Sequence, residues 1–588
     1  MPAKVEKWIL RACSHSFMKI YLQKKLLTKI IFSISMFQLR RGGEEMRTKR
    51  TVFFLMVLLL GSMLVFPGGQ QEAAEKDEIV FAIEEESRGL DPVTAHRRFS
   101  EAAIHVHDSL VVMDADNNEY GSLAVSWEPN ADATEYRVTL RKDVLFHDGT
   151  KLTSKDVKSH FDRVFEPDLC CGNAYQYLAS YKETEIIDDY TLIIRFEEPW
   201  GPFGYYITML DVTGIPSSKG WEEKGTDMNL EPVGTGPFKF IEWVPQSHIA
   251  YERFDEYNWG SDMFENQGAP HVSKLTVKFI SDATTRVAAL ESGDVDIIKK
   301  PAFTDIQRLR EHPDFVIDRV PYTGMPFSFV FNTARWPTND LSVRKAINLA
   351  INRERINTAA FLGEREALYT TVTSTTANFW PGAKELIYLA PDEAKTILKN
   401  AGWKDTDGDG IVEKDGKPCA IDLYIFGSKE ANPSVIAAEA IQSDLRAIGI
   451  DVEIMVRPWA DQSVVAMKEE HHLINFDMPT PSTSILGVMF HTRETPREGH
   501  YGMGFSWFQK NNPSLSAKLD EILDTADNAP TAAERGRAFV EAQKIIGANY
   551  LGVPIAGGYE IYVRNKNLVD VRYNNGRHAL FNDAHWVE

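Results

Sequence analysis

The sequence predicts an α/β protein of two or three lobes. At 588 residues, the chain is too long to fold around a single hydrophobic core. A helical stripe of apolar residues from Ala437 to Ile448 ends at Gly449, and an alternating strand follows at once over Ile450–Val456. A helix, a terminating glycine and a strand at this short spacing are typical of an α/β layer. We therefore expect one α/β lobe over residues 320–545.

A β-rich subdomain is predicted upstream of this lobe, over residues 100–225. Glu135–Leu140 alternates polar and apolar residues, as a half-buried strand does. Glu185–Ile187 and Thr191–Phe196 flank a pair of aspartates and indicate a hairpin.

A tight turn is predicted at Gly234-Thr235-Gly236-Pro237, which leads into a strand over Phe238–Trp243. Two glycines supply conformational freedom and the proline fixes its own φ. A phosphate-binding loop is the alternative, but it requires a Lys-Ser/Thr pair and a helix after the glycines, and neither follows.

An amphipathic helix is predicted after Asn339 or Asp340, either of which can cap it. Its apolar residues follow the i, i+3, i+4, i+7, i+8 pattern of one helical face: Val343, Ala346, Ile347, Ala350 and Ile351. We expect this face to contribute to the core of the lobe over residues 320–545.

The charge of the chain excludes two classes of partner. The formal net charge is −20. Residues 1–50 contain 12 Lys and Arg but only 3 Asp and Glu, so the remainder carries a net charge of −29. A surface this acidic repels the phosphates of nucleic acids and anionic lipids.

Residues 46–69 have the pattern of a secretory signal peptide. Met46–Val65 starts with basic residues and continues into an apolar run of about 15 residues, shorter than the roughly 20 that a spanning helix needs. We expect translation to start at Met46, which makes residues 1–45 a mis-annotated extension, and we expect residues 70–78 to form a flexible tether. The protein would then be periplasmic or otherwise extracytoplasmic.

Cysteines give little further guidance. No cysteine lies between Cys13 and Cys170, so a lipid-anchoring cysteine after the signal is missing, and an uncleaved signal anchor is the alternative to a soluble exported protein. The sequence leaves undecided whether Cys419 forms a disulfide with Cys170 or with Cys171. No CxxC or Cys/His spacing predicts a zinc site.

Three segments carry a family resemblance. They occur in this order: VGTGPFKF (Val233–Phe240), SVRKAINLAINRERI (Ser342–Ile356) and AGWKDTDGDGIVEKDGKP (Ala401–Pro418). Together they resemble the family 5 extracellular solute-binding proteins, the large receptors of dipeptide, oligopeptide and nickel ABC importers. The resemblance extends from about Ile79 to about Asn567.

The resemblance implies a periplasmic-binding-protein-like fold of type II, cluster C. Two α/β lobes would be joined by a hinge, with the β-rich subdomain as an addition to the first. Lobe I would comprise residues 79–99, 226–319 and 546–588, and lobe II residues 320–545. The chain would cross between lobes near Val320–Asn332 and near Tyr550–Pro554.

The implied function is a monomeric receptor without a cofactor. It would capture a peptide or similar polar solute between the lobes and deliver it to an ABC permease complex in the inner membrane. The alternatives are an extracytoplasmic sensor or adhesin, or a receptor for nickel, a metal chelate or an oligosaccharide. An enzyme is not expected, because GFSWF (Gly504–Phe508) lacks the second glycine of a nucleophile elbow.

Candidate ligand-binding residues come from aromatic and basic positions in loop-like contexts. An aromatic wall with a few polar anchors is typical of a solute site, which selects Tyr175, Tyr177, Phe379 and Trp380. The segment with Arg335 and Trp336 resembles the one that crosses into the second lobe, and Arg335 could bind a carboxylate or pair with an acidic neighbour. Arg97 is a further anion anchor.

One loop departs from the family pattern. In dipeptide receptors, a segment like Phe476-Asp477-Met478 leads into a loop whose Trp and Asp contact the ligand, the Asp holding its ammonium group; nickel relatives have Trp and Tyr there. Residues 479–490 contain neither Trp, Tyr nor an acid, although they carry the hydroxyls of Ser482, Thr483 and Ser484. A buried ammonium without a carboxylate is costly, so a neutral polar or anionic ligand is favoured.

No metal site is expected. Asp405, Asp407 and Asp409 copy the first half of an EF-hand loop, but Gly416 stands at position twelve, where a bidentate Glu belongs. We interpret the loop as a solvated turn, with weak calcium binding as the alternative. The histidines form three loose groups that we interpret as surface residues: His105 with His107, His471 with His472, and His491 with His500.

Overall fold

Three β-sheets organise the part of the chain that the structure describes. The computed structural model describes residues 76–588, apart from 94–100, 167–177, 179, 201–202, 210–213, 428–431, 481–482, 501 and 530. The predicted N-terminal extension, the signal peptide and most of the tether lie outside the described residues.

Sheet I has seven described strands, in the spatial order Phe315–Pro321, Tyr559–Asn565, Ile297–Lys299, Glu78–Ile83, Lys274–Phe279, His248–Arg253 and Phe238–Val244. The strand Glu78–Ile83 is parallel to both neighbours, and the outer strands pair antiparallel. Helices Ala283–Ser292 and Phe303–Glu311 bury Val287, Leu290 and Leu309 with side chains of this sheet.

Sheet II has five described strands, in the order Asp451–Arg457, Ala420–Phe426, Leu473–Pro479, Gly324–Phe331 and Gly552–Pro554. The first three are parallel, so their carboxyl ends lie at one edge, next to the start of Gly324–Phe331. Helix Pro433–Arg446 precedes Gly449, which has a φ of +87°. The predicted succession of helix, glycine and strand is confirmed.

The second family segment, Ser342–Ile356, supplies two fully buried arginines to sheet II. Arg344 donates to three backbone carbonyls, including that of Asn549 at 3.0 Å. Arg353 donates to the carbonyl of Pro554 at 2.6 Å. Burial lowers the pKa of both guanidinium groups to about 10. These side chains therefore fix the end of the strand Gly552–Pro554.

Sheet III has four described strands, in the order Ala124–Pro129, Glu135–Leu140, Thr191–Phe196 and Tyr181–Asp188. Helix Ser154–Arg163 begins with a capping box, in which the Asp156 carboxylate accepts from the backbone N–H of Thr153 at 2.9 Å. At its other end, Arg163 forms a buried ion pair with Asp91 at 2.6 Å.

The Gly-Thr-Gly-Pro turn packs against the backbone of Val106. A Cβ at Gly234 would lie 2.0 Å from the Val106 oxygen, and one at Gly236 would lie 2.6 Å from the Val106 carbonyl carbon. Between them, the Thr235 hydroxyl donates to the Asp108 carboxylate at 3.0 Å. Both glycines are therefore needed for close backbone approach, and the interpretation as a structural turn fits.

The other described helices and turns of helix are Ala103–His105, Phe203–Tyr206, Ser218–Lys224, Gly225–Asn229, Leu341–Ala350, Arg353–Phe361, Pro381–Glu385, Pro391–Asn400, Trp459–Asp461, Gln462–Met467, Ile485–Phe490, Thr492–Glu494, Phe508–Asn511, Pro513–Asn528 and Ala532–Ala548. Short strands pair as Val111–Met113 with Glu119–Gly121, Glu366–Ala367 with Ala556–Gly557, Glu413–Lys414 with Lys417–Pro418, Leu568–Val569 with His585–Trp586, and Arg572–Tyr573 with Ala579–Leu580. Among the described helices, none combines the length and the apolar character needed to cross a bilayer.

Candidate functional site

The chain passes between sheet I and sheet II twice, and the two crossings touch. The first lies at Tyr322 and Thr323, between strands Phe315–Pro321 and Gly324–Phe331. The second lies at residues 555–558, a few residues after the predicted position. The backbone N–H of Tyr322 donates to the carbonyl of Gly558 at 2.8 Å. The two crossings therefore form one narrow connection.

Threonine side chains hold the first crossing. The hydroxyls of Thr373 and Thr375 donate to the Tyr322 carbonyl at 2.9 and 2.8 Å. The Thr376 hydroxyl accepts from the N–H of Gly324 at 2.7 Å. Sequence reasoning missed this role, although the run of threonines at 370–376 was a visible signal.

Two glycines make room at the connection. Gly324 has a φ of +80°, and a Cβ there would lie 2.5 Å from the carbonyl oxygen of Thr480. A Cβ at Gly558 would lie 2.7 Å from the Tyr322 ring. Side chains at either position would separate elements that now touch.

Charged side chains that follow the second crossing lie near Tyr322. The Arg577 guanidinium lies 5.0 Å from the centre of its ring. Glu560, at the start of the returning strand, lies 3.9 Å from the Lys299 ammonium. Burial raises the pKa of Tyr322, and the Glu560 carboxylate acts in the same direction. The phenol therefore stays protonated and can donate a hydrogen bond.

An aromatic side chain stands at the carboxyl edge of sheet II. Trp459, in the turn after strand Asp451–Arg457, is 46% exposed. Its ring centre lies 6.3 Å from that of Phe426. Ligands of open α/β sheets bind beyond the carboxyl ends of the strands. An exposed tryptophan at this edge is suited to stacking on a ligand.

A turn upstream of sheet III reaches the threonine segment. Asn117, between strands Val111–Met113 and Glu119–Gly121, donates its side-chain N–H to the carbonyl of Thr375 at 3.0 Å. The Asp114 side chain fixes this turn by accepting from two of its backbone N–H groups. This turn therefore adds a polar contact to the threonine segment that holds the first crossing.

Arg335 and Trp336 lie at the far end of strand Gly324–Phe331 from the crossing. Arg335 pairs with Asp422 at 3.2 Å, as one of its two predicted interpretations states. Trp336 packs on Trp403, with ring centres 5.0 Å apart. Neither contact brings these side chains to Tyr322.

Phe379 and Trp380 are partly buried against the helix Ala532–Ala548 region. Phe379 packs on the apolar cluster that includes Phe539. The backbone N–H of Trp380 donates to the Gln543 side chain at 3.0 Å. Phe379 therefore joins a packed core, and the Trp380 ring lies beside Gly547 of that helix.

The remaining predicted site residues divide into two groups. Thr483 and Ser484 are buried and follow shortly after Thr480, whose N–H donates to the Thr323 carbonyl at 3.1 Å. Ser484 lies beside the carboxylate of Asp527, whose pKa is raised by burial. The others lie outside the described residues: Arg97, Tyr175, Tyr177 and Ser482.

The loop with Asp405, Asp407 and Asp409 brings four acidic side chains together, one more than expected. Asp405, Asp407, Asp409 and Glu413 each place one carboxylate oxygen within 4.8 Å of the others. Glu413 was not anticipated, because it lies beyond the half-motif. These are the oxygen ligands that calcium prefers, but four fall short of the six to eight that it usually takes.

The expectation of surface histidines is wrong for five of them, including His491, which is 8% exposed. His105, His107, His471 and His472 are each at most 5% exposed. Burial lowers the pKa of His105 to about 3 and that of His107 to about 4. Cys419 is also fully buried, as a free thiol.

Comparisons with known proteins agree on one family. A family model described as bacterial extracellular solute-binding proteins, family 5 Middle, matches residues 119–529. The oligopeptide-binding protein AppA of Bacillus subtilis is 30% identical over 447 residues, covering 72% of this chain and 75% of the relative. The glutathione-binding protein GsiB of Salmonella typhimurium is 28% identical, covering 87% and 94%.

Solved structures show the same fold. NikA of Brucella suis, in complex with Fe(III)-EDTA, superposes with a TM-score of 0.75 at 22% identity, covering 87% of this chain and all of that one. The predicted periplasmic-binding-protein-like fold of type II, with two α/β lobes joined by a hinge, is confirmed. Since the family model spans more than half of the sequence, the chain belongs to family 5 of the bacterial extracellular solute-binding proteins.

Proposed function

We propose that this receptor encloses a polar, peptide-like solute between sheets I and II and delivers it to an ABC permease. The observation that carries the proposal is the connection at Tyr322. Two crossings lie side by side, joined at 2.8 Å, and polar side chains from both lobes converge on them. Rotation at so few residues suffices to open and close a cleft.

The carboxyl edge of sheet II supplies the apolar part of the proposed site. Trp459 is exposed there, and Thr480 lies beside the first crossing at the end of strand Leu473–Pro479, which strand Ala420–Phe426 separates from the strand before Trp459. An aromatic surface with a few polar groups is the usual composition of a small-molecule site. Names of the relatives support the ligand class, since they include oligopeptide-binding and glutathione-binding proteins.

Partners and location follow from the same proposal. The protein would act as a monomer in the periplasm or another extracytoplasmic space, after export through its signal peptide. It would perform no catalysis, because capture and release of an unchanged solute are what an importer requires. Gene neighbours encoding a permease and an ATPase would support delivery to a transporter.

The first experiment identifies the solute. The purified protein is denatured, and mass spectrometry identifies what is released. We expect a peptide-like or other polar solute, which the Trp459→Ala variant would lose. Tyr388→Ala is the matched control, because Tyr388 is 38% exposed and its hydroxyl donates to Glu393, away from the crossings. Equal solute content in both variants would contradict the site.

A further inference from the structure

Arg365 is a half-buried arginine without a carboxylate partner. Among the described residues, it forms no ion pair, and its Nη1 atom is buried without a hydrogen-bond partner. A guanidinium removed from water without an anion is costly. Arginines in such positions commonly bind a ligand carboxylate through two parallel hydrogen bonds.

The side chain is nevertheless held in place. The Asn357 side chain accepts from the backbone N–H of Arg365 at 3.1 Å and donates to its carbonyl at 2.5 Å. The guanidinium lies over the Phe361 ring, 4.3 Å from its centre. These contacts orient Arg365 before any ligand arrives, which lowers the entropy cost of binding.

Arg365 lies at the connection between the lobes. Its Nε atom is 3.6 Å from the place where a Cβ at Gly558 would stand. The Tyr322 ring is 2.7 Å from that same place. The Tyr322 ring and the Arg365 Nε atom therefore both pack against Gly558, where a side chain would clash with the ring. Arg577 stands against Tyr322 as well, at 5.0 Å from its ring centre.

Nearby acids are already engaged. Glu364 accepts from Arg310 at 2.9 Å and from Arg319 at 3.2 Å. Glu366 accepts from the Tyr559 hydroxyl.

The acids on the sheet I side have their own cations. Glu560 lies 3.9 Å from Lys299, and Glu84 pairs with Lys300. Asp477 is close enough to influence Tyr322 but is not within ion-pair distance of Arg365. Arg365 is thus a cation of this group for which the described residues supply no ion pair.

We propose that Arg365 binds a carboxylate of the solute, with the Tyr322 hydroxyl donating a further hydrogen bond. This inference rests on the proposed function and narrows its ligand class to solutes that carry a carboxylate. The carboxylate has two sources: the C-terminus of a peptide, or a small organic acid. Loss of one charge-assisted interaction weakens binding by about 10- to 100-fold.

The test uses four defined probes. The probes are a tripeptide library with free C-termini, the same library as C-terminal amides, glutarate, and maltotriose. Each is titrated against the protein, and binding is followed by native mass spectrometry and calorimetry. We expect the free acids or glutarate to bind at least about 10-fold more tightly than the amides or the sugar. If only the peptide acids bind tightly, the carboxylate of the solute is a peptide C-terminus. If glutarate binds tightly, the solute is a small organic acid.

Variants connect the preference to Arg365. In Arg365→Gln, the advantage of acids over amides should disappear, while amide binding stays unchanged. Arg365→Lys keeps the charge but not the two-pronged geometry, so it should retain part of the preference. Arg446→Gln is the matched control, because Arg446 is exposed at the end of helix Pro433–Arg446 and pairs with Asp451 at 3.4 Å, and it should bind acids as the unaltered protein does.

Each contrary result has a separate meaning. If the unaltered protein binds amides or maltotriose best, or if Arg365→Gln keeps the preference for acids, the inference is wrong while the receptor function stands. If the unaltered protein binds none of the probes and releases no solute on denaturation, the proposed function itself fails. Thermal unfolding of Arg365→Gln within a few degrees of the unaltered protein excludes misfolding as the cause.

Discussion

Replacing Asp108 by asparagine should change how stability depends on pH. Asp108 is 8% exposed. One of its carboxylate oxygens accepts from the Thr235 hydroxyl at 3.0 Å and from the Trp259 indole at 3.2 Å, and the other lies 3.3 Å from the Tyr257 hydroxyl. Burial raises the pKa of Asp108 from 3.8 to about 7, although these hydrogen bonds act in the opposite direction.

The sign of the effect follows from proton binding. Because the pKa is higher in the folded state, the folded protein holds a proton between pH 4 and 7 that the unfolded chain has lost. The contribution of Asp108 to the free energy of unfolding is therefore fully present below pH 4 and is lost as the pH rises towards 7. At about 1.4 kcal/mol for each pKa unit, the whole rise corresponds to about 4 kcal/mol. Between pH 5 and 8, about 2–3 kcal/mol of this should be observable.

The asparagine variant mimics the protonated acid. Its amide oxygen can accept from Thr235 and Trp259, and its amide N–H can donate to the Tyr257 oxygen. In urea unfolding, the stability advantage of Asp108→Asn over the unaltered protein should grow by about 2–3 kcal/mol between pH 5 and pH 8. Asp255→Asn is the control, since Asp255 is exposed beside Arg253. If the two curves stay parallel from pH 5 to 8, Asp108 does not titrate in this range.

Three further changes probe the connection and its supports. Arg353→Met should lower the free energy of unfolding by about 3 kcal/mol, because it leaves buried carbonyls such as that of Pro554 without a donor; a loss below 1 kcal/mol in urea unfolding would contradict this. Thr376→Val should cost about 1–3 kcal/mol, since the Gly324 N–H loses its acceptor, whereas Thr376→Ser should restore stability. Asn117→Ala should shift the lobes towards the open form by about 1 kcal/mol, seen as a larger radius of gyration in X-ray scattering, and an unchanged radius would refute it.

Local patterns predicted local structure well. The five apolar positions of the helix face from Val343 to Ile351 are all at most 3% exposed. The strand after Gly449 begins within one residue of its predicted start. Both signals depend on the spacing of neighbours along the chain, and helical and strand periodicities are properties of that spacing.

Partners distant in sequence were beyond such patterns. Nothing near Arg335 indicates that Asp422 will stand beside it. The glycine turn was predicted, but its contact with Val106 was not, because over a hundred residues separate them. Arg365 is the clearest case. It lies between two glutamates, which suggests local pairing, and only the fold reveals that both engage other residues.

The connection also constrains how the receptor closes. Hydroxyls of the threonine segment hold Tyr322 and Gly324 to the sheet II lobe, so rotation must occur just before Tyr322. On the return path, strand Ala556–Gly557 still pairs with Glu366–Ala367 of that lobe, so the second pivot follows Gly557.

Arg365 directly precedes this paired strand, next to the pivot, whereas Trp459 lies at the edge of the sheet. Points near a rotation axis move little when the lobes rotate. We infer that the Arg365 contact forms in the open receptor and persists on closure, while Trp459 reaches the solute only as the cleft closes. Variants of Arg365 should therefore slow association as well as speed release, and those of Trp459 should mainly speed release.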